Sequence, residues 1–474
     1  MIERGPSDLD AARPLPAWAR VADAAAALLA LLGVTIGLTG GFRTHIGPIP
    51  VTLTSPYRLL FEAAAIAIVR HLILRDNPAY RYLLPRIAAW ATSSPVRTAI
   101  VIVVATRTAI FFVGYLAVVT IGYAQGARPF KEFSTELLNL PLRWDAGWYM
   151  GIATQGYAFE PGNPSLQQNV VFFPAYPMLV RVAALLLGKS FTAYVIGGTI
   201  VSLVAFTAAL AYLYRLARED LTDDQSSAAL WLIAAYPFSV FYGAIYTESL
   251  FLLCCVGAFY HLRHNQALKA GAFGLVAGLT RPNGFVLCAP LALLVLERAR
   301  PWRRGALSHT TRLWTAAAMP VVGTLLYSMF IWWLTGNPLA WLSGHTAWGR
   351  HYGGLTQLVA GKYGYIVDAG VLEYVSNEPY DLLNALGVLF VLFAAWPVYR
   401  RFGTAYAAFI LVTIVPPLAA GGLMSAGRFS SVLFPAFLAL AAITPPRHRI
   451  TWITVFAALQ ALNATLFYTW RPLF

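Results

Sequence analysis

Along most of the chain, uncharged apolar stretches alternate with short polar segments that carry arginine. Phe191 to Leu213 runs 23 residues without a charge, and Leu313 to Leu334 runs 22. Each exceeds the roughly 20 residues a helix needs to cross a bilayer core. Reading such stretches as helices predicts spans near Trp18–Leu38, Pro56–Leu74, Thr98–Tyr123, Phe191–Leu213, Ala228–Ala244 and Ser249–Leu262, then near 313–334, 382–398, 404–420, 431–444 and 451–468. Ala270 to Leu296 is also apolar, but basic residues flank both its ends (Arg263 and Lys269, then Arg298 to Arg304), which favours a hairpin over a single span. Its tip is Arg281-Pro282-Asn283-Gly284, where proline and glycine break a helix. With two legs for the hairpin, the total is about thirteen spans. The expected fold class is an all-α polytopic membrane protein, one multi-span domain over residues 1–474 without an internal repeat.

The arginines orient the spans. The N-terminus (Arg4, Arg13, Arg20), the loop Arg75 to Arg97, Arg298 to Arg312, Arg400 with Arg401, and Arg447 with Arg449 are placed in the cytosol by the positive-inside rule. That leaves two large outer loops, 124–190 and 336–377. Val171 to Leu187 is apolar but holds Pro174, Pro177 and Arg181. Reading it as an interfacial or re-entrant helix on the outer side keeps Arg215 and Arg218 inside.

Composition then removes the soluble alternatives. Charged residues make up 11% of the chain and apolar ones 58%, against roughly 25% charged in soluble domains. The net charge of +14 sits in the loop clusters, so it reports orientation rather than nucleic-acid binding. Cys254, Cys255 and Cys288 lie in apolar runs and indicate no disulfide framework. Met1 to Ala17 is polar and lacks the short apolar stretch of a signal peptide, so the first span is expected to remain in the mature chain.

This topology gathers the unusual polar residues on one face: Arg143-Trp144-Asp145, Tyr246-Thr247-Glu248, Arg281 with Asn283, His345, Trp348, Arg350 and His351, and Arg428. Ionisable groups at membrane boundaries are costly and usually line a cavity. Plainer roles exist for each. Asp145 can pair with Arg143, Glu248 can complement a helix dipole, Arg281 and Arg428 can snorkel to headgroups, and the histidines can be solvated. The segment with Lys362, Asp368, Glu373 and Glu378 reads as ordinary solvated loop. No Walker loop, G-x-G-x-x-G or H-E-x-x-H occurs, so ATP-driven transport and zinc proteolysis find no support.

Arg143-Trp-Asp-Ala-Gly-Trp-Tyr149, Ile152-Ala153, Gly156-Tyr157 and Phe172-Phe-Pro-Ala-Tyr-Pro177 resemble the bacterial branch of the PIG-V mannosyltransferase family. Tyr236-Pro237, Tyr246-Thr-Glu-Ser249, Thr280-Arg-Pro-Asn-Gly284, Gly336-Asn-Pro338, Trp348-Gly-Arg350 and Ser425 to Arg428 before Phe434-Pro435 continue the resemblance, in the family's order, from about residue 100. The family's Arg-Tyr reads Arg428-Phe429 here, and its Asp-Pro reads Asn337-Pro338.

The resemblance implies a glycosyltransferase of the GT-C fold that moves mannose with inversion from a polyprenyl-phosphate donor to a lipid or glycan acceptor. It places catalysis on the outer face of a bacterial inner membrane, with Asp145 as catalytic base. The chemistry agrees. Such a transfer needs one carboxylate to deprotonate the attacking hydroxyl, while the phosphate leaving group needs its charge held, which a guanidinium fork does well. Arg281, Arg428 and Arg143 are the candidate phosphate ligands. Trp144, Trp148, Tyr149, Glu248, Asn283, His345 and Arg350 are candidates for the substrate pocket. No cofactor is expected, a divalent metal is left open, and membrane lipids rather than nucleic acid are the surroundings. Two alternatives stand beside this reading: a lipid-linked sugar flippase, and the same fold using a different sugar or moving a whole glycan. A non-catalytic scaffold is disfavoured by the Asp145 motif.

Overall fold

Helix length and its interruption by proline organise this chain. The computed structural model describes residues 16–39, 42–46, 49–53, 55–75, 88–163, 165–298, 307–350 and 352–473. It divides into two compact units, residues 1–93 and 94–474. In the first, helix Ala17–Thr39 packs on helix Pro56–Ile73, and buried Arg70 pairs with Asp23 at 2.9 Å. Between them Phe42–Ile46 and Ile49–Leu53 pair as an antiparallel hairpin, Phe42 opposite Leu53. This hairpin departs from the all-α expectation; the rest of the described secondary structure is helical.

Seven helices among the described residues are long and apolar enough to cross a membrane, or eight if one bent pair counts as a span. The seven are Ala17–Gly37, Ser94–Thr120, Phe191–Ala217, Thr311–Thr335, Pro379–Phe402, Thr404–Gly421 and Pro446–Tyr468. The chain is therefore a polytopic membrane protein, but the count of thirteen is not reproduced. Helices Ala175–Leu187, Ala267–Gly278 and Phe434–Ile443 are apolar yet short, and Pro56–Ile73 carries Arg58, Glu62 and Arg70.

The expected span 228–244 is broken. Helix Asp223–Ala235 stops at Tyr236, whose backbone is extended because Pro237 follows. A 3-10 segment, Pro237–Gly243, then meets helix Glu248–Arg263 at 101°. The break strands backbone carbonyls inside the protein, where each needs a donor. Arg107 donates to Ala234 O at 2.8 Å and to Ser239 O. Gln460 donates to Ala234 O and Tyr236 O at 3.0 and 3.1 Å, and Asn463 to Pro237 O at 3.1 Å. The bent segment is thus suspended between helices Ser94–Thr120 and Pro446–Tyr468.

The second break falls at the expected tip. Helix Ala267–Gly278 ends, Arg281 is extended, and a 3-10 turn Pro282–Leu287 leads into helix Cys288–Arg298. The chain folds back tightly here: a Cβ on Gly284 would stand 2.1 Å from the Ala277 carbonyl oxygen, so only glycine fits. Segment 336–377 contains helices Gly354–Ala369 and Val371–Asn377. Lys362 pairs with Asp381, while Val359, Tyr363 and Val367 are exposed.

Candidate active site

Asp145 ends a sharp turn. Trp144 takes a positive φ of 53°, and Asp145 then caps helix Ala146–Gln155 without a side-chain capping bond, which leaves its carboxylate free to point elsewhere. One motif residue, Tyr246, holds the turn. The Tyr246 hydroxyl donates to Arg143 O at 3.1 Å and accepts from the Asp145 amide at 3.0 Å. The Tyr246 ring also lies 4.5 Å from the Arg428 guanidinium carbon, so this one side chain fixes the backbone of Asp145 and floors its partner.

Arg428 joins the two carboxylates. Its Nη1 is 2.7 Å from Asp145 Oδ2, and its Nε donates to Glu248 Oε1. Glu248, the first residue after the 101° bend, also lies 3.2 Å from Arg281 Nη1. Side-chain exposure falls from 23% at Asp145 to 8% at Arg428, 6% at Arg281 and zero at Glu248. Asp145 is therefore the member of this chain of charges that faces open space. Although Arg281 is within ion-pair distance of Glu248, its Nη1 makes no aligned hydrogen bond, and Asn283 Nδ2 and Glu248 Oε2 are also buried without hydrogen-bond partners.

The backbone around Arg428 is built to hold it. Ser425 adopts a left-handed conformation before the short helix Ala426–Ser431. The Gly427 amide donates to Asn384 Oδ1 at 2.8 Å, and a Cβ there would stand 2.1 Å from the Phe238 ring. Ser431 Oγ donates to Arg428 O at 2.8 Å, and the Tyr242 hydroxyl to Ser431 O at 2.8 Å.

A third guanidinium completes the cluster. Arg350 and Arg281 lie over the Phe429 ring, at 5.5 and 5.1 Å. The stacking uses the ring face alone, so phenylalanine serves where the family carries tyrosine. Arg350 is half-buried, has no carboxylate partner among the described residues, and donates weakly to Met424 O at 3.4 Å. Burial and the neighbouring Arg428 push its pKa down to about 10, with Asp145 offsetting part of this. Burial, followed by Arg350, pushes His345 down to about 4. Three guanidiniums face two carboxylates here, and the surplus is positive.

An aromatic wall borders this group. Trp148 stacks on Phe172 at 5.6 Å and meets Trp348 edge-on at 5.7 Å, while buried Tyr149 packs on Phe172 and Tyr176. His345 sits 6.5 Å from Trp348. His351 lies outside the described residues.

Two of the expected site residues are placed apart. Arg143 does not pair with Asp145: fully buried, it donates to Tyr468 O at 3.0 Å, to Asn139 O at 2.5 Å and to the Tyr123 hydroxyl at 3.2 Å. Trp144 likewise turns to the C-terminal helix, its Nε1 donating to Phe467 O at 3.2 Å. Among the described residues no three His, Cys, Asp or Glu side chains converge as metal ligands. Tyr246 was placed on the candidate face but not among the site residues, and Asn384 was not singled out. The first was readable as part of Tyr246-Thr-Glu-Ser249, and the second as a lone amide in an apolar run.

Residues 128–333 match the family model described as Mannosyltransferase (PIG-V), so the resemblance carried by the motifs holds for that part of the chain. No curated protein matches it. Among solved structures, the chain is similar to the oligosaccharyltransferase of Archaeoglobus fulgidus in complex with Zn and sulfate, at 14% identity and a TM-score of 0.38, over 75% of this chain and 53% of that one. It is also similar to the archaeal oligosaccharyltransferase from Archaeoglobus fulgidus in complex with an inhibitory peptide and a dolichol-phosphate, at 12% identity and a TM-score of 0.36, over 77% and 55%. The chain spans about half the length of these structures.

Proposed function

We propose, for a chain whose residues 128–333 follow the PIG-V mannosyltransferase pattern, that this membrane glycosyltransferase moves a mannosyl unit, with inversion, from a polyprenyl-phosphate donor to a lipid or glycan acceptor. Its architecture is then of the GT-C type, and its site faces the outside of a bacterial inner membrane. The observation that carries the reading is the surplus of guanidinium over carboxylate, Arg281, Arg428 and Arg350 against Asp145 and Glu248, with Arg281 Nη1 and Asn283 Nδ2 lacking hydrogen-bond partners. Such a group attracts an anion of the size of a phosphate.

In this reading Asp145 takes the proton of the acceptor hydroxyl as its oxygen bonds to the anomeric carbon. The bond from that carbon to the phosphate oxygen breaks, and its electron pair leaves as charge on the phosphomonoester. Arg350 and Arg281 hold that charge. Glu248 neutralises part of Arg281 and Arg428, which keeps the pair tolerable when no anion is bound. Trp148, Phe172 and Trp348 offer the ring faces on which a sugar stacks.

The test is label transfer. Purified protein in detergent is incubated with mannose-labelled polyprenyl phosphate and a membrane lipid extract, and the product is analysed by mass. A transferase makes a new mannosylated species. A flippase, which needs a membrane and makes no bond, leaves all label on the donor, and that result would remove this reading. Facing is tested separately with single cysteines at 145, 281, 345 and 428, expected to react with an impermeant maleimide from outside, and at 88 and 302, expected to react from the cytosol.

A further inference from the structure

The last turn of helix Pro446–Tyr468 leaves carbonyls without partners in the helix, as every helix end does. Here they are taken up by the two residues that precede Asp145. Trp144 Nε1 reaches Phe467 O at 3.2 Å, and Arg143 Nε reaches Tyr468 O at 3.0 Å. The next residues extend the joint. Thr469 O accepts from the Ala124 amide at 2.9 Å, and Arg471 Nη1 donates to Gly122 O at 3.1 Å. Trp470, held at a positive φ of 60°, lays its ring 4.8 Å from Trp144 and 5.8 Å from Phe130.

The same segment reaches the other half of the site. Asn384 Nδ2 donates to Leu473 O at 3.2 Å, while Asn384 Oδ1 accepts the amide of Gly427, the residue before Arg428, at 2.8 Å. One short piece of chain, Phe467 to Leu473, is therefore bonded to the turn that carries Asp145 and, through one amide, to the turn that carries Arg428. These two side chains come from positions 283 residues apart and meet at 2.7 Å.

We propose that Phe467–Leu473 is a spacer that sets the separation of Asp145 and Arg428, with Asn384 and Trp470 as its positioning residues. The catalytic meaning of that separation rests on the transferase reading above, but the spacer itself does not. Trp470 provides a sharp probe because its Nε1 has no hydrogen-bond partner. Its ring, and not its polarity, must do the holding, so Trp470→Phe keeps what matters and Trp470→Ala removes it.

The experiment compares the full chain with its Trp470→Phe, Trp470→Ala and Asn384→Leu variants, by amide hydrogen exchange and by steady-state kinetics. Trp470→Ala and Asn384→Leu are expected to speed exchange at 143–150 and at 425–431, while 96–118 stays protected. Turnover should fall about 10- to 100-fold, the scale of a displacement near 1 Å, with the KM for donor changed by less than about threefold, and Trp470→Phe should restore both readouts. Unchanged exchange at either segment would overturn the proposal. So would faster exchange spreading to 96–118, because that is general loosening. If the wild-type protein transfers no sugar, the kinetic arm fails with the transferase reading while the exchange arm still decides the spacer.

Discussion

Arg428 and Asp145 stand 2.7 Å apart, Nη1 to Oδ2, although 283 residues separate them in the chain. The pair is unequal. Arg428 has a second carboxylate in Glu248, whereas the Asp145 carboxylate has no other side-chain partner among the described residues. Losing Asp145 therefore leaves Arg428 compensated, but losing Glu248 does not leave Arg281 compensated.

Asp145→Asn accordingly separates chemistry from folding. Turnover is expected to fall about 10²- to 10⁴-fold, the usual span for a lost general base. Thermal unfolding should move little, because no capping bond is lost and the site is partly open. Asp145→Glu should recover part of the rate. A well-folded Asp145→Asn protein with near wild-type turnover would return the search for the base to Glu248.

Glu248→Gln should behave in the opposite way. It strips the buried counter-charge from two arginines, a change that costs about 3–5 kcal/mol when one member of a buried pair is removed. A large drop in the unfolding midpoint in detergent, far beyond that of Asp145→Asn, is the expected result. Equal midpoints for the two variants would contradict the inward-increasing burial described above.

Arg350→Ala is expected to weaken donor binding by about 1.5–3 kcal/mol, roughly ten- to a hundredfold, and to leave the unfolding midpoint nearly unchanged. Arg350→Lys should recover only part, since a point charge does not reproduce the fork. Titration with the donor in a calorimeter reads this directly. Wild-type affinity in Arg350→Ala would mean that the surplus charge serves something other than the donor phosphate.

His345 predicts a pH dependence. Its folded pKa of about 4 lies below the ordinary value near 6.5, so the folded state favours the neutral ring. As pH falls from about 6.5 to about 4, the unfolded chain takes up a proton that the folded one refuses, and stability drops. Above that window the residue contributes no slope. Unfolding midpoints of the wild type and His345→Gln should therefore run parallel above about pH 6.5 and diverge below it, the wild type falling faster. Parallel curves throughout would place His345 in ordinary solvent.

The sequence made the charged partners legible because each sits in a short motif: Asp145, Glu248, Arg281 and Arg428 were all read as one face, and they meet. What it could not reveal was which arginine serves which carboxylate. Arg143 is next but one to Asp145, yet its partner Tyr468 O lies 325 residues away, a distance no local pattern encodes. Asn384 and Arg107 were hidden differently. Each is a lone polar residue in an apolar run, where hydropathy averages it away although its burial demands a partner. The count of spans is not confirmed for a related reason. Hydropathy measures apolar length, whereas Pro237 ends the backbone helix inside the expected span 228–244, and the helices on either side of the expected Arg281–Gly284 tip are 12 and 11 residues long.

The broken segment after Ala235 has a consequence for synthesis. Its carbonyl at Ala234 is completed by Gln460, which the ribosome reaches 226 residues later. At about 5–20 residues per second, that is a delay of about 10 to 45 s. During that interval one of the two helices that support the bend does not yet exist: Arg107 can already serve Ala234 O, but Tyr236 O and Pro237 O lack the donors they have in the finished protein. Arg143 and Trp144 wait longer still, 325 and 323 residues, for Tyr468 and Phe467. The nascent chain thus carries an incomplete centre until its final helix arrives, and a ribosome stalled before residue 460 leaves a membrane-inserted product whose earliest motif is present but unassembled.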